Sequence, residues 1–171
     1  MPTGRPSRER ARRLTETMHP PLPTPMALAL AEARAAAADG EVPVGAVVTR
    51  GSGIGREVVA RGRNMTRTWN DPTAHAEIVA IRAACAALGT DRLTGLDLHV
   101  TLEPCAMCAG AIAHARLARL HYGAADPKGG GVAHGARVFD HATCHHRPEV
   151  YDGIAASEAG ALLREFFRER R

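Results

Sequence analysis

The sequence predicts an α/β layer fold around a mixed five-stranded sheet, and three observations carry that reading. Two β-branched runs joined by Gly51-Ser52-Gly53 have the form of a hairpin, which makes antiparallel neighbours. Beyond them strands and helices alternate to the end of the chain, a pattern that layers helices on a sheet. No internal repeat interrupts that order.

Each element follows from local pattern. Pro25 to Asp39 is alanine-rich with helical spacing and is stopped by Gly40. Val42 to Val48 is a strand, and Val58 to Asn64 a second. An Ala/Ile/Val-rich helix runs from about Ala74 to Leu88, with Asp71-Pro72-Thr73 offering its cap and first turn. Leu96 to Leu102 is a third strand, and it delivers a Glu103-Pro104-Cys105 turn into a helix that reaches about Ala115. Arg119 to Gly123 is a fourth strand and Glu149 to Tyr151 a fifth; a closing helix spans about Ser157 to Arg170.

At 171 residues the chain suits one domain with a core of its own, expected over 26–171. No apolar run approaches the ~20 residues of a membrane span. Residues 1–25 are Arg- and Pro-rich and lack the apolar stretch of a secretory signal, so a disordered basic extension is expected there. They hold five arginines against two glutamates, so +3 of the formal charge of +4 sits in them and the rest carries only +1. A basic tail can hold RNA phosphate. It is equally consistent with an upstream start codon, Met26 being the functional start. Of the four cysteines, Cys105 and Cys108 fall in a metal motif and Cys85 stands among helical alanines as a small apolar residue, which fits a reduced, cytoplasmic protein.

That motif is the most informative feature of the chain. His75-Ala76-Glu77 and Pro104-Cys105-Ala106-Met107-Cys108, separated by 26 residues, supply three metal donors and one carboxylate. Catalytic zinc takes three protein ligands, whereas a structural finger closes the shell with a fourth Cys or His. Glu77 is therefore read as the proton carrier, with His75, Cys105 and Cys108 as ligands of one zinc. Residues at i and i+2 do not share a helix face, so His75 and Glu77 converge only beyond a helix N-terminus. Cys105 and Cys108, at i and i+3, lie side by side. Two helix N-termini aimed at one metal favour thiolates. The signature H-x-E…P-C-x-x-C is that of zinc nucleobase deaminases.

Other conspicuous groups have plainer readings. Gly129-Gly130-Gly131 lacks the spacing of a phosphate loop and is expected to be a flexible loop. His141-Ala142-Thr143-Cys144-His145-His146 has no spaced partner pair and is expected to be a polar loop near the substrate mouth rather than a second metal site. Trp69, the single tryptophan, can stack a nucleobase, but packing against the hairpin is the expected role.

Three segments, Glu41–Val47, Asn70–Ile78 and Val100–Gly110, together resemble the bacterial tRNA adenosine deaminase family of the cytidine-deaminase-like superfamily. The similarity runs from about Met26 through Arg171 and includes Phe166-Phe167-Arg168. It implies a three-layer α/β/α cytidine-deaminase-like fold, a homodimer, and hydrolysis of the wobble adenosine of tRNA to inosine. By position it implies zinc ligands His75, Cys105 and Cys108, with Glu77 as general acid and base. It implies further that Asn64 hydrogen-bonds the flipped purine, that the backbone of Ala76 lies against it, and that Asp126 and Lys128 contact anticodon nucleotides. These matches point to a tRNA with an ACG anticodon. Ala125 and the run Val132-Ala133-His134-Gly135 depart from the family pattern, which bears on RNA grip more than on chemistry. Two alternatives use the same residues: a deaminase of free guanine or cytosine, and a zinc-stabilised RNA-binding module without catalysis, against which Glu77 argues.

Overall fold

A computed structural model describes residues 24–170. The extension expected over 1–25 lies outside the described residues except for Thr24 and Pro25, which start the first helix. Helix α1 (Pro25–Ala38) is capped by the Thr24 hydroxyl oxygen, which accepts the Ala27 N–H (3.1 Å), and proline opens its first turn. The remaining elements, in chain order, are β1 (Gly45–Arg50), β2 (Glu57–Arg63), α2 (Ala76–Leu88), β3 (Asp97–Leu102), α3 (Ala106–Ala115), β4 (Arg119–Ala124), β5 (Glu149–Tyr151) and α4 (Ala156–Arg168).

The five strands form one sheet in the order β2-β1-β3-β4-β5. β1 runs antiparallel to both of its neighbours, and β3, β4 and β5 are parallel. The sheet is therefore mixed, as expected. Helices α1 and α4 cover one face around Met26, Leu30, Val47 and Ala159. On the other face Leu98, Val100, Ile112 and Leu120 pack with α2 and α3 in the larger core. The period of two along β1, with Val47 in one cluster and Ala46 and Val48 in the other, shows how one strand serves both layers.

Several boundaries differ from the sequence expectation, and the shifts at the starts of β1 and α2 have local reasons. β1 begins at Gly45 rather than Val42, because the Val44 N–H turns back onto the Val42 carbonyl (2.8 Å) and Pro43 has no donor for a ladder. It then runs on to Arg50, and a short 3-10 turn at Gly53–Gly55 follows. α2 begins at Ala76 rather than Ala74. Asp71 does not cap it; its carboxylate accepts the Thr73 N–H (2.8 Å) and hydroxyl (2.7 Å) and closes a separate turn.

The topology places the start of α2, the end of β2, the start of β1 and the end of β3 at one edge of the sheet. Because β3 and β4 are parallel, α3 also starts at that edge. Close backbone contact fixes the depth of α2. A Cβ on Gly62 would lie 2.5 Å from the Ala76 carbonyl oxygen and 2.5 Å from the Ala80 nitrogen. Gly62→Ala is accordingly expected to lower the melting temperature by roughly 3–10 °C through overpacking. An unchanged melting curve would show that α2 can ride outward freely.

Candidate active site

His75 is the N-cap of α2 and Cys105 the N-cap of α3, and neither side chain bonds the helix it begins. Cys108 lies one turn further along α3, and Glu77 lies in the first turn of α2. His75 Nδ1 consequently stands 3.7 Å from Cys105 Sγ and 3.5 Å from Cys108 Sγ. The three ligand atoms all lie within 4.8 Å of one another. Zinc bonds of ~2.3 Å to sulfur and ~2.0 Å to nitrogen, opened at a tetrahedral angle, put S and N roughly 3.6 Å apart. The donor set fits zinc.

The protons of the cluster are shared unequally. Hydrogen bonding from Cys108, then from His75, draws the Cys105 thiol down to about 4. That sulfur in turn raises His75 and, together with burial and the nearby Glu77, pushes Cys108 far above the usual thiol range. A divalent cation on all three would deprotonate Cys108 as well, since a coordinating thiol loses its proton outright. Glu77 is not part of the donor cluster and is only 4% exposed. Burial pushes its carboxyl up to about 7, against the pull of its own backbone amide and of His75. Such a group exchanges a proton readily near neutral pH.

Asn64, just past the end of β2, is buried, and its Oδ1 accepts the Ala76 N–H at 2.8 Å. This bond supplies the cap acceptor that His75 does not, and it fixes which end of the amide is oxygen. The side-chain N–H groups remain as donors. Ala76 is fully buried and its own N–H is already engaged.

Two buried carboxylates, neither singled out by the motifs, hold the loops on either side. Glu41 Oε1 accepts the N–H groups of Arg67 (2.9 Å) and Thr68 (2.7 Å) and the Thr68 hydroxyl (2.9 Å), while Oε2 accepts the Thr66 hydroxyl (3.2 Å). Burial alone would raise its carboxyl, but the bonds from Thr68, Thr66 and Arg67 hold it below the usual range. Glu103 does the same for the segment after β4. Its oxygens accept the N–H groups of Asp126, Val132, Ala133 and His134, and the His134 ring lies 2.8 Å away. The departure His134 thus adds a ring contact to a clasp otherwise made by backbone. A lone acid inside an apolar run, as in Glu41-Val42-Pro43-Val44 and Leu102-Glu103-Pro104, was the available signal, because a buried carboxylate requires partners.

The glycine run is close-packed rather than flexible. A Cβ on Gly130 would lie 2.5 Å from Glu103 Oε1, and one on Gly131 would lie 2.4 Å from the Ala106 nitrogen. Asp126 Oδ1 accepts the N–H groups of Lys128 (3.1 Å) and Gly129 (2.9 Å), which leaves the Lys128 side chain exposed. Lys128 borders a cavity of about 590 Å³ lined also by Leu163, Arg164, Phe167, Arg168 and Arg170. The histidine-rich loop forms no metal cluster among the described residues. The His141 and His146 rings bond the carbonyls of Ala136 (2.7 Å) and Leu117 (2.6 Å). Trp69 is 52% exposed, so about half of its ring lies in solvent. Cys85 is half-buried against the core, and burial raises its thiol.

A second close group, Asp97, His99 and His121, stands at the opposite edge of the sheet. The rings of His99, His121 and Tyr151 stack nearly parallel at 4.4 and 4.9 Å, and Arg119 clamps Asp97 through two bonds. Lone pairs in parallel ring planes do not converge on one ion. Burial, then His121, lowers His99 to about 3, so the stack is uncharged packing.

Residues 24–171 match the MafB19-like deaminase family. The tRNA-specific adenosine deaminase of Agrobacterium fabrum is 59% identical over 131 residues, which are 77% of this chain and 84% of that one. A solved structure from studies of A-to-I editing by tRNA:A34 deaminases at the wobble position is 57% identical. It superposes with a TM-score of 0.78 over 81% of this chain and 98% of its own. A guanine deaminase structure from Nitrosomonas europaea is 26% identical, with a TM-score of 0.68 over 83% of this chain and 82% of its own.

Removing the Glu103 carboxylate takes the acceptor from the amides of Asp126, Val132, Ala133 and His134, the Val132 one buried. Glu103→Ala is expected to cost about 3 kcal/mol or more and to accelerate hydrogen exchange at residues 126–134. Unaltered protection of those amides would mean that another contact holds the loop.

Proposed function

The chain belongs to the MafB19-like deaminase family and, within it, to the tRNA-specific adenosine deaminases, and from that premise we propose that it converts the wobble adenosine of tRNA to inosine. The observation that carries the reading is the set of three metal donors at zinc spacing beside a buried carboxyl that is not one of them. The net reaction is hydrolysis, in which adenosine and water give inosine and ammonia.

Deaminases of this kind are generally zinc-dependent, and we assign one zinc per chain to His75, Cys105 and Cys108. When bound, zinc supplies Lewis-acid activation, lowering the pKa of water from ~15.7 toward ~7. Glu77 carries the protons. It accepts one as water adds at C6 and delivers it to ring N1. It then takes the second from the new C6 hydroxyl and passes it to the amino group, which leaves as ammonia. A carboxyl held near 7 suits both directions. Asn64 presents its amide N–H groups to the purine from a position fixed by its bond to Ala76. Ala76 forms the wall behind the base, and Asp126 and Lys128 handle the anticodon nucleotides.

The substrate we propose is a tRNA bearing an ACG anticodon, met by a homodimer in the cytoplasm, where tRNA is found. Among the described residues no helix is long and apolar enough to cross a membrane. Support for RNA over a free base comes from the cavity beside Lys128, with three arginines and a half-exposed Phe167. Clustered cations and an open ring suit a nucleic-acid backbone and its bases. A free guanine or cytosine has no phosphate for those cations to meet. A module that only binds RNA has no use for Glu77 poised as a proton carrier.

Glu77→Gln is expected to retain zinc and RNA binding while inosine formation falls by ~10⁴-fold or more. Activity near that of the wild type would remove Glu77 from the reaction. Elemental analysis is expected to give one zinc per chain, lost in Cys108→Ser and retained when His141 and Cys144 are replaced; two zincs per chain would contradict the assignment. Ammonia release measured side by side on anticodon-loop RNA, guanine and cytosine tests the substrate. Turnover of guanine with none on RNA would defeat the tRNA assignment.

A further inference from the structure

Trp69 sits on a surface loop that has far more internal bonding than a simple connection needs. Met65 N–H to Ala74 O (2.9 Å) closes the stem, directly between Asn64 and His75. Inside it, Trp69 N–H bonds Met65 O (2.9 Å), Asp71 N–H bonds Thr66 O (3.1 Å), and Asn70 adopts a left-handed φ of 51°. Glu41, fully buried, grips the loop at Thr66, Arg67 and Thr68, the residues just before the tryptophan. Asp71, just after it, is tied to Thr73 and lies 3.7 Å from Arg82. The product of all these bonds is a rigid arm holding an indole ring in water.

We propose that Trp69 is a stacking platform for a nucleobase of the single-stranded RNA adjoining the base that enters the site. This rests on the RNA reading above and adds a contact to it. A large apolar ring left half in solvent is unfavourable on its own, and stacking on a base would remove it from water. Every base offers a π-face, so the contact strengthens binding without reading sequence. Rigidity matters here, because a preformed platform loses little freedom when the base arrives. The loop stem borders both Asn64 and His75, and a nucleotide flanking the one being deaminated is therefore the base assigned to the ring. Because the contact involves no reacting atom, it acts equally before and during the chemical step.

Trp69 is the single tryptophan of the chain, so its fluorescence reports on this ring alone. Titrating the zinc-loaded enzyme with an anticodon stem-loop RNA is expected to quench the emission and to shield it from acrylamide. Trp69→Ala is expected to raise KM about 5- to 100-fold with kcat and zinc content nearly unchanged, and Trp69→Tyr to recover most of the loss. Unchanged emission at saturating RNA, in an enzyme that forms inosine, overturns the proposal, as does an unaltered KM in Trp69→Ala. Emission that follows protein concentration and ignores RNA would assign the ring to a second copy of the chain and overturn it too. A wild type that neither binds the stem-loop nor forms inosine on tRNA defeats the substrate reading, and the platform with it.

Discussion

His75 and Cys105 stand at helix N-caps, where Ser, Thr, Asp or Asn would stabilise by roughly 1 kcal/mol each. Both side chains instead turn toward each other and toward Cys108. The helices therefore begin with amides that their own caps leave unpaired, and the positive ends of two macrodipoles point at one small volume. That arrangement favours thiolate at Cys105. It also obliges the rest of the fold to compensate. Asn64 reaches from the end of β2 to cap Ala76, which ties the strand, the helix and the Asn64 amide to a single bond. The absence of a side chain at Gly62 lets α2 approach closely enough for that bond to form.

Around this centre the loops are held by carboxylates as well as by the apolar packing of Val132 and Phe139. Short loops at a sheet edge bury little surface, so hydrophobic contact alone would leave them mobile. Glu41 and Glu103 each gather several N–H or O–H donors onto buried oxygens, and charge-assisted bonds of this kind are about twice as strong as neutral ones. Both acids follow from the same requirement, and they lie one on each side of the metal donors. The site walls are thereby set before substrate arrives.

The chemistry was legible because it is local. His75, Glu77, Cys105 and Cys108 lie within short motifs whose spacing fixes their geometry relative to a helix start, and the structure brings all three donors together. The five strands and four helices were legible for the same reason, with edges shifted by a few residues where Pro43 or the Asp71 turn intervened. The loops were not legible. Glu41 binds residues 25 to 27 positions away and Glu103 residues 23 to 31 positions away, and no periodicity encodes such pairings. Gly129-Gly130-Gly131 reads as flexibility when only composition is known. In the fold Gly130 and Gly131 are small because Glu103 and the start of α3 leave no room for a Cβ. The half-exposure of Trp69 was not legible either, since the loop that carries it is tied to Glu41 across the same long separation.

The depth of the site decides how substrate must reach it. Cys108 is fully buried and Glu77 nearly so, while His75 and Cys105 are half-buried at the opening. A base stacked in a duplex presents only its edges in the grooves and cannot bring C6 to such a place. It has to leave the stack, at a cost of a few kcal/mol that is least in an already single-stranded loop. A cost of this kind is offset by binding contacts outside the reacting centre. Glu41 and Glu103 hold the neighbouring loops and cations gather near Lys128, so such contacts would need little further ordering of the protein. The same burial that lifts the Glu77 carboxyl toward neutrality thus also restricts access to bases that can be turned out of their strand.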